Sequence, residues 1–223
     1  MSIKPIVIVN FKVYRESSGK RAVQLARVCE KVSQESGAAI AVAPALVDLA
    51  GVARSVKIPV FAQHLDAAEP GAFTGHVTAE SLQSLGVQGS LINHSEKPLS
   101  LKAIKQTAAH CRRRGLISIV CVANLAMVKA VARFHPDYIA YEPPELIGGN
   151  ISVTSAKPSV VKKAVELIKK ISPRTVPICG AGVKNNLDFR TALLLGTKGV
   201  LLASGVVKAK NQKKALRELV RVR

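Results

Sequence analysis

The stretch IVIVNFKVY, Ile6 to Tyr14, decides the fold. Its first half, Ile6 to Val9, is β-branched throughout with no polar alternation, the composition of a strand covered on both faces, as in a parallel sheet. Its second half excludes the main rival. An open doubly wound sheet usually places a glycine-rich nucleotide loop directly after its first strand; here the strand runs into Asn10-Phe11-Lys12-Val13-Tyr14, with no glycine. Similar short apolar runs recur along the chain. With Ile6–Phe11 they are Ala39–Ala43, Val60–Gln63, Ser90–Asn93, Ser118–Val122, Tyr138–Tyr141, Val176–Cys179 and Val200–Leu202. Eight strand–helix units leave about 28 residues for each, near the lower size limit of a closed (β/α)8 barrel.

Between the runs the apolar period changes from continuous to helical. Ala22, Leu25, Ala26, Cys29 and Val32 recur at steps of three and four, as do Val160, Val161, Ala164, Val165, Leu167, Ile168 and Ile171. A last helix is predicted from about Gln212 to Val222, with Ala215, Leu216, Leu219 and Val220 on one stripe. Gly37, Gly86, Gly115 and Gly196 stand where helices return to strands, a place that favours a left-handed residue. Pro59 and Pro177 are expected just ahead of strands, where a missing N–H is harmless. No linker, charge block or low-complexity segment divides the chain, so one α/β domain over 1–223 is expected.

Of the 223 residues, 48% are hydrophobic, enough for a core without covalent staples. Cys29, Cys111, Cys121 and Cys179 show no C-x-x-C spacing, which supports neither zinc nor a disulfide framework. The apolar run Pro5–Val9 is too short for a signal peptide core. No stretch approaches the roughly 18 uninterrupted apolar residues of a membrane helix. The expected setting is the cytoplasm, with no membrane partner. Charge is the odd feature: 33 basic against 14 acidic residues, a net +19. Such an excess attracts anionic substrates and, at low salt, polyanions. Aromatics at 4% and the absence of Trp leave no stacking platform for single strands, so no specific nucleic acid partner is expected.

In a barrel, chemistry sits where strands end and βα loops begin. The polar residues there are Asn10 and Lys12, Gln63-His64, Asn93-His94-Ser95-Glu96 and Glu142, with small-residue turns at Gly180-Ala181-Gly182 and Ala203-Ser204-Gly205. Taken singly, each fits an ordinary loop. Together they gather a base, an imidazole, an ammonium and turns whose backbone N–H groups suit phosphate. The segment YEPPELIGGN, Tyr141 to Asn150, fits a plain loop, a hinge between domains, or a carboxylate beneath a lid.

At these positions the chain resembles the triosephosphate isomerase family in its short, archaeal-type form. The motifs are VNFK (Val9–Lys12), GAFTGH (Gly71–His76), NHSE (Asn93–Glu96), YEPPELIG (Tyr141–Gly148), CGAGV (Cys179–Val183) and GVLLASGV (Gly199–Val206), in the family's order. The resemblance implies a TIM barrel that interconverts glyceraldehyde 3-phosphate and dihydroxyacetone phosphate, with no metal and no cofactor. It makes Glu142 the base, His94 the electrophile and proton shuttle, Lys12 the cation and Glu96 the partner that holds it. Asn10, Phe11 and Lys12 would contact substrate; backbone amides around Ile147, Gly148, Gly182, Ala203 and Ser204 would bind the phosphate. The His94 imidazole would be kept neutral by a helix N-terminus near Ser95. Pro143 and Pro144 would stiffen the hinge of a lid, Glu145 to Gly148, that shuts out water. One departure is Gly148-Gly149-Asn150, where the family usually reads Gly-Thr-Gly.

His64 is read as secondary to His94 or as packing, and His110 and His135 as surface residues. His76 follows a loop, Gly71–Gly75, that in the family reaches into a neighbouring subunit, so the resemblance implies a homo-oligomer, tetramer or dimer. Two other readings stay open: another phosphate-binding barrel acting on a sugar or indole phosphate, and a non-enzymatic basic scaffold for nucleic acid.

Overall fold

The computed structural model describes residues 4–143 and 158–221. Its strands are β1 (Ile6–Asn10), β2 (Ala39–Ala43), β3 (Phe61–Ala62), β4 (Gly89–Ile92), β5 (Ile117–Val122), β6 (Tyr138–Tyr141), β7 (Val176–Cys179) and β8 (Gly199–Leu202). All pairings are parallel, in the order β2-β1-β8-β7-β6-β5-β4-β3. The two edges meet through a bridge between Val42 of β2 and Val60, beside β3, where the Val42 N–H donates to the Pro59 carbonyl at 3.0 Å. The result is a nearly closed (β/α)8 barrel, as the apolar runs predict.

Around it lie α1 (Lys20–Ser36), α2 (Leu49–Ala53), α3 (Ala79–Ser84), α4 (Leu101–Arg113), α5 (Leu125–Ala132), α6 (Pro158–Ile171), α7 (Asn186–Leu194), α8 (Ser204–Val207) and α9 (Gln212–Leu219). Five of these start on a polar cap. The side chains of Thr78, Ser100, Asn124, Asn185 and Asn211 each accept an N–H from the first turn, which satisfies a donor the helix cannot. Gly37, Gly86, Gly115 and Gly196 end helices at φ of 66°, 73°, 66° and 96°, as expected. No helix of the described residues is long and apolar enough to cross a membrane.

The core has two parts, and the strand pleat separates them. Val7 and Val9 join the larger cluster with the helix stripes, among them Ala22, Leu25, Ala26, Cys29 and Val32 of α1. Ile8 joins the smaller cluster with Ala41, Phe61, Leu91, Ile119, Cys121, Ala140, Ile178 and Leu201, which fill the barrel. Because strand side chains alternate, continuing the inner row by two residues brings Asn10, Gln63, Glu142, Gly180 and Ala203 to one mouth.

Some boundaries differ from expectation. β1 stops at Asn10 and β3 holds only Phe61–Ala62, because Asn10 and Gln63 spend side-chain groups on one another and on loop backbone (below). Pro177 lies inside β7, opposite Ile139 of β6, rather than ahead of it. It has no N–H to give, but its carbonyl still accepts the Lys198 N–H at 2.8 Å, beside the pairing of Cys179 with Val200.

Two glycines let strands approach closely. A Cβ at Gly89 would stand 2.1 Å from the Ile117 carbonyl oxygen, and one at Gly199 2.2 Å from that of Ile6. At Gly51, within α2, it would meet nothing within 4 Å. Gly89→Ala should therefore lower stability by about 1–3 kcal/mol or more, while Gly51→Ala should raise it by about 0.5–1 kcal/mol. Thermal denaturation of the two variants side by side checks this; equal shifts would contradict the packing described.

Candidate active site

β1 delivers the cation under strain. Lys12 has φ 48°, one of three non-glycine residues in the left-handed region among the described residues. Its backbone N–H donates to Asn10 Oδ1 at 3.0 Å. The Gln63 amide, from the end of β3, donates to Asn10 Oδ1 (3.2 Å) and to the carbonyls of Lys12 and Ala43 (3.0 Å each). The amide thus ties the turn to two neighbouring strands and holds Lys12 in a conformation it would otherwise avoid. The ammonium then reaches across to Glu96 Oε1 at 2.6 Å.

β4 turns its imidazole inward by breaking the pleat. Asn93 has φ 61°, and its side chain is clamped, donating to the Cys121 carbonyl and accepting from the Leu99 N–H, both at 2.8 Å. The next residue, His94, is consequently aimed into the mouth and buried. Its Nδ1 accepts the Glu96 N–H at 3.2 Å, so the neutral ring carries its proton on Nε2, which lies 3.9 Å from Glu142 Oε2. The expected helix N-terminus near Ser95 is absent. Residues 95–97 form a turn closed by Lys97 N–H to His94 carbonyl at 2.7 Å, and α4 starts only at Leu101. Burial lowers the His94 pKa instead; Glu96 pushes it up and Lys12 adds to the lowering.

Glu142, directly after β6, is 2% exposed. Burial raises its carboxyl to about 8, against the Cys121 thiol hydrogen bond and the Lys12 charge, which lower it, while Glu96 adds a further rise. Oε2 has no hydrogen-bond partner among the described residues. The carboxyl rests on Gly180: a Cβ there would stand 2.3 Å from Glu142 Cγ and 2.4 Å from Oε1. Gly180 is thus bare for a steric reason, which the sequence shows only as a small-residue turn. A raised folded-state pKa carries a definite sign. Burial of Glu142 costs little below pH 4.5, where the carboxyl is protonated folded or unfolded, and destabilises progressively as pH climbs from 4.5 towards 8.

Two cavities meet at this point. A narrow one of about 40 Å³ is lined by Glu142, Gly180, Gly182, Ala203 and Ser204; a wider one of about 610 Å³ is lined by Gln63, His64, His76 and Glu96. Asn10, Lys12 and His94 form their common wall. The wide cleft has the room for a ligand, but the reactive groups lie around the narrow one. Lys12, His94 and Glu142 therefore come together, with Asn10, Gly182, Ala203 and Ser204 beside them. Phe11 does not: its side chain is in the outer core, its N–H donates to Ala43 and its carbonyl accepts from Ser17. Ile147, Gly148 and the rest of the expected lid, Glu145 to Gly148, with Gly149-Asn150, lie outside the described residues, as does Pro144. His64 pairs with Asp66 at 3.0 Å. His110 is not the surface residue expected; it is half-buried, 3.7 Å from Glu69. No group of three or more His, Cys, Asp or Glu among the described residues is arranged to hold a metal ion.

Residues 5–222 match the profile of the family described as triosephosphate isomerase. The triosephosphate isomerase of Methanocaldococcus jannaschii is 49% identical over 216 residues, covering 97% of this chain and 99% of that one. Those of Methanothermus fervidus (48%; 97% and 98% covered) and Archaeoglobus fulgidus (45%; 96% of each) are similar over the same extent.

A carboxyl that rests on a bare glycine in a dry pocket should report its surroundings when titrated. By carbon NMR, Glu142 should titrate with a midpoint near 8. In Gly180→Ala the new methyl should push it towards water and move the midpoint down towards the ordinary 4.5. An unmoved midpoint in the variant would refute the contact.

Proposed function

The chain belongs to the triosephosphate isomerase family and interconverts D-glyceraldehyde 3-phosphate and dihydroxyacetone phosphate; from that premise we propose which side chains do the work. Glu142 removes a proton from the carbon beside the carbonyl. The electron pair of that C–H bond becomes the C=C bond of the enediolate, and the carbonyl π pair moves onto oxygen. His94 Nε2–H donates to that oxygen, and the Lys12 ammonium stabilises the negative charge. Glu142 then returns its proton to the neighbouring carbon as His94 passes one between the two oxygens. The change is redox-neutral, so proton carriers and charge suffice.

The observation that carries this assignment is the approach of His94 Nε2 to Glu142 Oε2, 3.9 Å apart, under an ammonium held by Glu96. A substrate lying across this pair would present its C–H to Glu142 Oε2 and its carbonyl oxygen to His94 Nε2. A carboxyl whose pKa is raised to about 8 is a stronger base than one in water, and a positioned base of this kind contributes about 10²–10⁴-fold. Fixed charge in a dry site adds to it. Asn10 contacts the substrate from the common wall of the cavities, and the backbone amides near Gly182, Ala203 and Ser204 receive the phosphate. Ile147 and Gly148, outside the described residues, complete that contact on the resemblance alone, and Phe11 acts only through the backbone turn it anchors. No metal or cofactor enters this scheme.

The protein works in the cytoplasm, in glycolysis and gluconeogenesis, and has no specific nucleic acid partner. It assembles as a homo-oligomer, a tetramer or at least a dimer, through the loop carrying Phe73. That ring is 48% exposed and packs edge-on to His76, which lines the wide cleft, 5.5 Å between centroids.

Two measurements test these assignments. In an assay coupled to consumption of dihydroxyacetone phosphate, Glu142→Gln and His94→Gln should each lower kcat by about 10²–10⁴-fold, with KM changed far less. A Glu142→Gln enzyme that kept its kcat would remove the base from the scheme. Sedimentation at working salt should show no monomer at assay concentrations; a fully active monomer would exclude the assembly.

A further inference from the structure

Of the three non-glycine residues with positive φ among the described residues, Lys12 and Asn93 serve the active mouth; the third, His135 at 52°, lies at the opposite end of the barrel, where α5 returns to β6. Gly37, Gly86, Gly115 and Gly196 take this conformation at other returns, free of a side-chain clash. A histidine here accepts a steric cost, and its ring is held in a specific state. Thr175 Oγ1 donates to the Pro136 carbonyl at 2.7 Å, so its proton is spent. Ser172 Oγ must then donate to Thr175 Oγ1, also at 2.7 Å, and can only accept from His135 Nδ1–H at 2.9 Å. The remaining ring nitrogen, Nε2, has no partner among the described residues.

Two guanidiniums flank this ring from separate elements. Arg112, at the end of α4, gives both Nη2 hydrogens to the carbonyls of Phe134 and His135, at 2.6 and 3.0 Å; its Nε and Nη1 hydrogens have no acceptor among the described residues. Arg174, in the turn before β7, is exposed and makes no ion pair among them. Arg112, His135, Ser172, Arg174 and Thr175 line a cleft of about 560 Å³. The one carboxylate in the lining, Asp137, is turned to β5, its Oδ2 accepting from the Ser118 N–H and hydroxyl at 2.8 Å each.

We propose that this cleft is a second anion site, for a phosphate-class oxyanion: inorganic phosphate or the phosphoryl group of a phosphomonoester. Guanidinium forks match the spacing of phosphate oxygens. The imidazole, with Nδ1–H already engaged by Ser172, leaves Nε2 as its unengaged nitrogen in the lining of the same cleft. The groups lining the cleft with the ring are Arg112 from α4, Arg174 and Ser172 from the turn before β7, and Asp137 from its own loop, two fixed positive charges against one negative.

The test reads the His135 ring itself, which separates this cleft from phosphate bound at the active mouth. At about pH 6 and low salt, proton–nitrogen NMR of the imidazoles is followed during titration of the full chain with inorganic phosphate, and in a second arm with glycerol 3-phosphate. The His135 signals should shift saturably, and the tighter ligand identifies the source. Arg174→Ala should weaken that response by about tenfold or more, with isomerase kcat unchanged. In His135→Gly, calorimetry should show one phosphate per chain lost. No saturable shift, or a shift that chloride reproduces at equal ionic strength, would overturn the site. An unchanged response in Arg174→Ala would do the same and leave the ring as a staple between two loops.

Discussion

The burial of one carboxyl group sets the terms for the rest of the active mouth. Glu142 gives up water at the end of β6, and desolvation is the main force that lifts its carboxyl. Two neighbours must be small for this to happen: Gly180, on which the carboxyl lies, and Cys121, whose buried thiol faces it from β5. Burial also raises the thiol, so Cys121 stays protonated and can only donate. The pocket thus offers the carboxylate one weak donor and a distant ammonium, enough to admit the charge without cancelling its basicity.

The cation opposite is governed by position rather than by strength of attraction. Glu96, which holds Lys12 at 2.6 Å, is 57% exposed. A pair open to water on one side contributes little to stability, about 0–1 kcal/mol. Gln63 ties the same turn from beneath with three contacts of 3.0–3.2 Å, and the left-handed backbone of Lys12 needs that tie. The amide fixes where the side chain leaves the strand, and the carboxylate fixes where the ammonium ends. The same glutamate donates its backbone N–H to His94 Nδ1 and so sets the proton on Nε2. Lys12 and His94 are therefore oriented by one residue, and a change at Glu96 reaches both.

The fold was legible in the sequence to the extent that strands are apolar and helices periodic. All eight apolar runs are strands, because a barrel covers both faces and lets composition speak. The errors fall at β1 and β3, shortened beside Asn10 and Gln63, and at Pro177, which sits inside β7 rather than ahead of it. At the site, Asn10, Lys12, His94, Glu142, Gly182, Ala203 and Ser204 stood at strand ends, and the pleat brings them together. The helix start near Ser95 that the resemblance implies is a turn instead, and burial is the main cause that lowers the His94 pKa. Gly180 was missed as a support for Glu142, because the need for it is a contact between β6 and β7 that no local pattern carries. His110 was misread for a similar reason: the Glu69 that draws it in lies 41 positions earlier.

Composition is also a poor guide to where the charge acts. The run Arg112-Arg113-Arg114 is divided among separate local acceptors, with only the Nη2 group of Arg112 engaged. Arg112 holds the carbonyls before β6, Arg113 meets Glu69 Oε1 at 2.8 Å and Arg114 meets Glu80 Oε2 at 3.0 Å. Screening confines the influence of the +19 further, since exposed charges farther apart than about 8–10 Å scarcely interact at cellular salt. A phosphate ester at the mouth therefore responds to the cations that line it, Lys12 and Lys97 in the wide cleft and Lys184 in the narrow one, rather than to the total. The excess can raise the rate of encounter. Lys12 is the cation whose place is fixed most firmly, because its side chain stands in both cavities and is held at one end by a strained backbone and at the other by Glu96 across the barrel.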